Sequence, residues 1–431
     1  MTEVGHLVVV GASLAGLRAV EGARRAGFAG RITLIGAEEH LPYDRPPLSK
    51  AFLEEAGAPV PTFRHEKVLR DELDIRLLLG APATGLDTDG RVVVVGDQMV
   101  PYDAVVLATG ASARELPGAR DLAGVHTLRT VDDAVAIRQA LDSGARTVVI
   151  GAGFIGSEVA AATRRRGLDV VVVEAAATPL VRAVGARMGE ACAALHRRHG
   201  TEVRCGVGVT GLDGAGRVER VLLSDGSVLP ADLVVVGVGA VPATEWLTGS
   251  GLLLDGGVVC DEALFTGVAG VYAAGDLARW HNPMFDRRMR LEHWTSAAEQ
   301  GAVAASNALE PDARTPYSTV PYFWSDWYGS RIQFAGIPGA DEVRVVDGDV
   351  GSDGPLVALY REGDRLVGAL TIDAPAHVMK YRGLIMRGAS WRDGLVFAAE
   401  RRRRAAARPV RGDLDTDLGT DATVDRGGAS A

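Results

Sequence analysis

The clearest chemistry in this chain lies in three glycines and a glutamate. Gly151, Gly153 and Gly156 stand at the spacing of a turn that seats a pyrophosphate. The first permits the tight turn, the second lets the backbone approach the ligand, and the third lets the following helix pack closely. Phe154 and Ile155 fall inside the same turn. Glu174 follows at about the 20-residue interval expected of an acid that accepts hydrogen bonds from ribose hydroxyls. A second set opens the chain: Gly11, Ser13 and Gly16, with Leu14 and Ala15 between them. Serine replaces the middle glycine here, and its hydroxyl can itself donate to a phosphate. The usual acid position of this copy is Gly36, followed by Ala37, Glu38 and Glu39. Glu38 is the ribose candidate and Glu39 the alternative. Two dinucleotides, or one and a decayed site, are the readings open at this point.

These residues act together only if particular elements position them. Residues 147–150 and 170–174 read as strands flanking a helix, and the helix N-terminus offers free N–H groups to an anion. In the first copy the strand is 7–10, the turn 11–16, the helix ends near 27 and the second strand is 31–35. Strands are also expected at 75–79 and 91–95. A buried strand over 102–110 ends in Thr109 and Gly110, and 233–239, ending in Gly239, is its counterpart. The fold class expected is α/β, with two three-layer Rossmann-like dinucleotide-binding domains and a smaller α+β C-terminal domain.

Composition sets outer limits. With 431 residues, 47% hydrophobic and 54 glycines, the chain suits a globular α/β enzyme of about three domains. No apolar run approaches the roughly 20 residues of a membrane span, and Glu3 replaces the basic start of a signal peptide. A net charge of −9 and a pI near 5.6 argue against general nucleic-acid binding. Three scattered cysteines, Cys192, Cys205 and Cys260, make neither a disulfide framework nor a metal cluster. No metal is expected, and a cytoplasmic location is.

The segment ending Arg45-Pro-Pro-Leu-Ser-Lys50 is stiffened by its prolines and turns Arg45 and Lys50 toward the mouth of the first fold. With it the chain resembles the FAD-dependent, NADH-linked ferredoxin reductases of the glutathione-reductase fold, from about residue 7 to about 397. The resemblance implies that Lys50 lies beside the flavin ring and Glu158 at the nicotinamide, both as electrostatic organisers. It places Pro82, Thr109, Gly110 and Arg114 on FAD, with Arg114 reaching the pyrophosphate. Asp276, ending the strand over 270–276, would accept a hydrogen bond from the ribityl chain. The backbone near Trp294 would meet the pyrimidine end of the ring. Trp324 would cover the nicotinamide, whereas Trp327 departs from the glutamine expected there. The implied domains are 1–114 with 246–315 for FAD, 115–245 for NADH, and 316–400 at the C-terminus, leaving 401–431 as a disordered tail.

Disulfide reductases on this fold carry two cysteines with four residues between them beside the flavin, and this chain has no such pair. Electrons must leave another way. FAD can take two electrons from NADH and release them singly, so an iron-sulfur ferredoxin is the partner expected, with a monooxygenase or dioxygenase downstream. Arg287, Arg288 and Arg290 form the densest basic patch for an acidic ferredoxin. Glu174 followed by three alanines selects NADH over NADPH, although Arg182 is a nearby cation. The same parts could also serve an NADH oxidase, a rubredoxin or monodehydroascorbate reductase, or an NADH-sensing flavoprotein of the apoptosis-inducing-factor type.

Overall fold

The computed structural model describes residues 4–55, 57–119 and 122–406. Two parallel sheets of five strands form its frame. In the first, Val271–Ala273, Ala104–Leu107, His6–Val10, Arg31–Ile35 and Ile75–Leu78 lie side by side in that order. In the second the order is Glu202–Cys205, Val170–Glu174, Thr147–Ile150, Leu233–Val236 and Val125–Thr127. Each glycine turn leaves the central strand of its sheet. The two sheets are wired alike except at one edge, where the fifth strand comes last in the first domain and first in the second. That permutation lets the second domain be inserted into the first.

The sequence encodes this plainly. His6–Val10, Ala104–Leu107, Thr147–Ile150 and Leu233–Val236 are buried throughout, as strands covered on both faces must be, and so, after His6 and Thr147 at the start of two of them, they read as unbroken apolar runs. One face of the first sheet is covered by Leu14–Arg25, which crosses the helix Trp294–Leu309. A β-carbon on Gly301 would fall 2.1 Å from the carbonyl oxygen of Ala15, so only glycine permits this close crossing. Each domain also carries a three-stranded antiparallel flap, Ala83–Asp87 to Gln98–Pro101 in the first and Val209–Asp213 to Val228–Pro230 in the second. The crossings between the domains, Ala111–Ala113 and Ala240–Pro242, pair with each other antiparallel.

The C-terminal domain is a five-stranded antiparallel sheet in the order Tyr322–Trp327, Ser330–Gly336, Arg365–Ile372, Leu356–Glu362, Glu342–Asp347. The helices Pro375–Met386 and Trp391–Ala406 pack on it. The second of these corrects the expected tail, because residues 401–404 are helical. Trp391 and Ala398 are buried, and the Phe397 ring meets Tyr381 edge-on at 5.2 Å. The arginines continue that anchored helix, where its dipole favours cations. The remainder of the expected tail, 407–431, lies outside the described residues.

Candidate functional site

One cleft of about 1700 Å³ runs between the two parallel-sheet domains and under the aromatic strand of the third. A site for a single small ligand is usually about 300–1,000 Å³, so this one has room for two large ligands end to end. Of the residues expected to bind a dinucleotide, most line it: on one side Gly11, Ser13, Leu14, Ala15, Pro82, Thr109, Gly110 and Asp276. On the other are Gly151, Gly153, Phe154, Ile155, Glu174 and Gly239, with Trp294 and Trp324 from the elements above. Gly16 and Gly156 sit behind their turns, where a β-carbon would lie 1.9 Å from the Gly11 carbonyl oxygen and 2.1 Å from that of Gly151. Gly151 has φ +100° and its β-carbon would strike the Gly237 carbonyl oxygen at 2.4 Å.

The middle position of the turn is different. Gly153 has φ −76°, and a β-carbon there would come no nearer to the protein than 3.7 Å. Ser13 occupies the same place in the first copy with φ −117°. The fold itself therefore does not require glycine at this position, and only a ligand pressed against the turn would. Neither helix has a side-chain cap, so the N–H groups of both first turns remain open to an anion in the cleft. The cradles and the open helix ends fit two pyrophosphates.

Both acids flank these turns. Glu174 accepts the N–H of Ala152 and that of Ala176, each at 2.8 Å, and so closes its glycine turn from below. Glu38 lines the cleft and accepts Arg45 Nη2 at 2.6 Å and the Tyr43 hydroxyl at 2.5 Å. Glu39 does not line the cleft. Burial raises the Tyr43 phenol well above its ordinary pKa. Arg45 also donates to Ser13 Oγ at 3.3 Å and to the Arg129 carbonyl.

Arg114 is placed differently from the sequence expectation. It follows the crossing strand Ala111–Ala113, is itself exposed, and does not line the cleft. Arg129, which sequence reasoning missed, does line it and pairs with Asp276 at 2.8 Å. It precedes a capping box, Thr130 with Asp133, at the start of the helix Val131–Asp142. A cation just ahead of a capped helix was the available signal, but nothing local shows that this helix end faces the other domain.

All three domains meet at Glu158, on the helix Phe154–Arg165 and 5% exposed. One carboxylate oxygen accepts Lys50 Nζ at 2.7 Å and the Ser49 hydroxyl, and the other accepts the Ser325 hydroxyl. Ser325 in turn accepts Trp327 Nε1–H at 2.7 Å. Trp327, the departure noted in the sequence, is wholly buried and faces away from the cleft. Nearby, Trp294 Nε1–H donates to Asp44 at 2.8 Å. Burial raises the Asp44 carboxyl, against the opposing pull of that N–H and of Lys50. The helix Trp294–Leu309 has no side-chain cap, so the backbone at its start stays open to a ligand. His293 also lines the cleft; burial depresses its imidazole to about 4 and its Nδ1 has no partner.

The expected basic patch is partly neutralised. Arg287 pairs with Glu362 at 3.0 Å, and Arg290 with Glu292 at 2.8 Å. Arg288 is exposed and makes no ion pair among the described residues. Arg182 lines the NADH side of the cleft. None of the three cysteines lines the cleft, and all three are free thiols.

Two nucleotide folds sharing one cleft, with a third domain closing it over a lysine–glutamate pair, define a two-dinucleotide oxidoreductase. The chain belongs to the pyridine nucleotide-disulphide oxidoreductase family, whose model matches residues 5–301, and a Reductase C-terminal model matches 322–403. Within it, the chain is a ferredoxin–NAD(+) reductase homologue. It is 39% identical over 388 residues to rhodocoxin reductase of Rhodococcus erythropolis, covering 88% of this chain and 89% of that protein. It is 36% identical to the ferredoxin–NAD(+) reductase subunit of the benzene 1,2-dioxygenase system of Pseudomonas putida, covering 86% and 90%. Among solved structures, the covalent putidaredoxin reductase–putidaredoxin complex matches with TM-score 0.87 and 32% identity, over 94% of this chain and 99% of that one. No helix among the described residues is long and apolar enough to cross a membrane.

Proposed function

We propose that this protein is an FAD-dependent reductase that passes electrons from NADH to an iron-sulfur ferredoxin serving an oxygenase. The observation that carries the reading is the Lys50–Glu158 pair, 2.7 Å apart, where the two dinucleotide sites of one cleft meet. When bound, FAD accepts two electrons from NADH as a hydride and can release them singly. The residues of the chain do the rest by binding and orientation. The glycine turns and open helix ends hold the pyrophosphates, Glu38 and Glu174 the ribose hydroxyls, and Asp276 the ribityl chain.

Arg129 takes the phosphate-neutralising role expected of Arg114, since a guanidinium matches phosphate oxygens and this one is in the cleft. Lys50 and Glu158 set the local charge at the junction and exclude water. With no cysteine beside it, that junction has no dithiol exit for two electrons, which favours one-electron delivery to a partner. Arg288 is the arginine of the basic patch left open to an acidic ferredoxin. The free thiols favour a cytoplasmic setting.

The test is anaerobic NADH-driven reduction of a panel of purified ferredoxins over a range of salt, with oxygen uptake as background. Fast, salt-sensitive reduction of at least one ferredoxin is expected. Electron flow to oxygen alone, with no ferredoxin reduced above background, refutes the reading.

A further inference from the structure

We infer that Ser325 and Trp327, both from the C-terminal domain, are positioning residues that hold the Glu158 carboxylate in its working orientation. The inference rests on the reading that NADH reduces the flavin at this junction.

The direction of each hydrogen bond follows from donor chemistry. An indole N–H can only donate, so at 2.7 Å Ser325 Oγ must accept from Trp327. A serine hydroxyl has a single proton, which is then free for one acceptor, and Glu158 Oε1 is the acceptor in reach. Trp327 thereby decides which way the serine points. Ser325 and Trp327 are both wholly buried, so no bulk water competes for either bond.

The other carboxylate oxygen is held from the first domain by Lys50 at 2.7 Å and by Ser49. Held from that side alone, the flexible Glu158 side chain could pivot about one oxygen. The bond from Ser325 removes that freedom, and charge-assisted bonds of this kind are the stronger ones.

Trp327 is itself fixed. Its ring lies 4.9 Å from that of His196. His196 is pinned between Ser157 Oγ at 3.1 Å and the Tyr328 hydroxyl at 2.6 Å. Ser157 is the neighbour of Glu158 on the same helix, so Ser325 holds one residue of the NADH-side helix directly while Trp327 backs the histidine that holds the next. A purely packing role for Trp327 needs neither the N–H nor the serine.

The test uses the FAD-loaded full chain, mixed anaerobically with NADH while flavin absorbance is followed. Ser325→Ala should lower the limiting reduction rate about tenfold, the worth of one hydrogen bond to a charged group. The NADH concentration for half-maximal rate should change by less than about twofold, because the lost bond does not touch the dinucleotide. Ser325→Thr, which keeps the hydroxyl, should restore the rate to within about twofold.

Trp327→Phe keeps an aromatic ring but removes the N–H together with the rest of the five-membered ring, and should slow reduction about threefold, a smaller loss because the serine remains. In the oxidised FAD-loaded chain without NADH, solvent exchange of the Trp327 indole N–H should accelerate in Ser325→Ala. Wild-type rates in both Ser325→Ala and Trp327→Phe, or a Ser325→Thr no better than alanine, overturn the inference. Flavin in the wild type that dithionite reduces but NADH does not overturns the functional reading and the role with it. The indole exchange still decides whether the hydrogen-bond chain exists.

Discussion

Replacing Glu158 by alanine separates the structural from the functional weight of the junction. Glu158 is 5% exposed and its lysine partner 19% exposed, so the substitution strands a nearly buried ammonium and two buried hydroxyls, those of Ser49 and Ser325. Removing one partner of a buried pair costs about 3–5 kcal/mol. Lys50 keeps the Pro46 carbonyl at 3.2 Å and some water, which puts the loss near the lower end, about 3 kcal/mol. In a chain of this size that corresponds to a fall in Tm of about 3 °C. FAD should stay bound, because none of the glycine turns or helix ends that hold it involves Glu158. If the pair also organises the reacting groups, losing about 1.4–2.8 kcal/mol of that organisation slows reduction by NADH about 10- to 100-fold. The assay is stopped-flow flavin reduction at saturating NADH, alongside FAD content and a melting curve. A fall in Tm with full FAD content and an unchanged limiting rate would refute the catalytic argument and leave the pair a structural clamp.

Other outcomes follow from the same geometry. Gly151→Ala should abolish NADH binding while FAD is retained, since its φ of +100° and a 2.4 Å approach to the Gly237 carbonyl oxygen leave no room for a methyl group. Gly153→Ser should leave the melting temperature within about 1 °C, because nothing in the protein strains that position; a large drop would show that the fold needs the glycine after all. NADH should exceed NADPH at least tenfold in kcat/KM, because Glu174 repels a 2′-phosphate, and Glu174→Ala should narrow that gap; equal values in the wild type would show that Arg182 dominates. Burial depresses the His196 imidazole to about 3, so the unfolded chain binds its proton first. Its contribution to stability is therefore complete above an unfolded pKa near 6.5 and is lost as pH falls below it, by up to about 1.4 kcal/mol per pH unit. Comparing the melting temperatures of wild type and His196→Gln at pH 7.5 and 5.5 checks this, and a gap that fails to narrow in acid contradicts it.

Much of the site is legible in the sequence because its parts are local. A strand, a glycine turn, a helix and a second strand ending in an acid occupy fewer than about 30 residues, and each part's spacing is dictated by the ligand. The duplicated unit, the apolar runs of the parallel sheets and the missing cysteine pair are likewise properties of the chain alone. The end of the C-terminal helix is not legible in the sequence, for the opposite reason. Residues 401–404 carry no periodic signal of their own and are helical because Trp391, Phe397 and Ala398 dock the turns before them.

What the sequence determined by itself was therefore the pair of nucleotide folds and most of the residues that line the cleft between them. It pointed to Arg114 and not to Arg129. Both are arginines near domain crossings, and only the packing of one domain against the other puts Arg129 2.8 Å from Asp276 while leaving Arg114 in solvent. Nor could it show that Glu158, Lys50 and Ser325 converge. They lie in three domains, and their Coulomb and hydrogen-bond energies exist only at separations of a few ångströms, which tertiary structure alone creates.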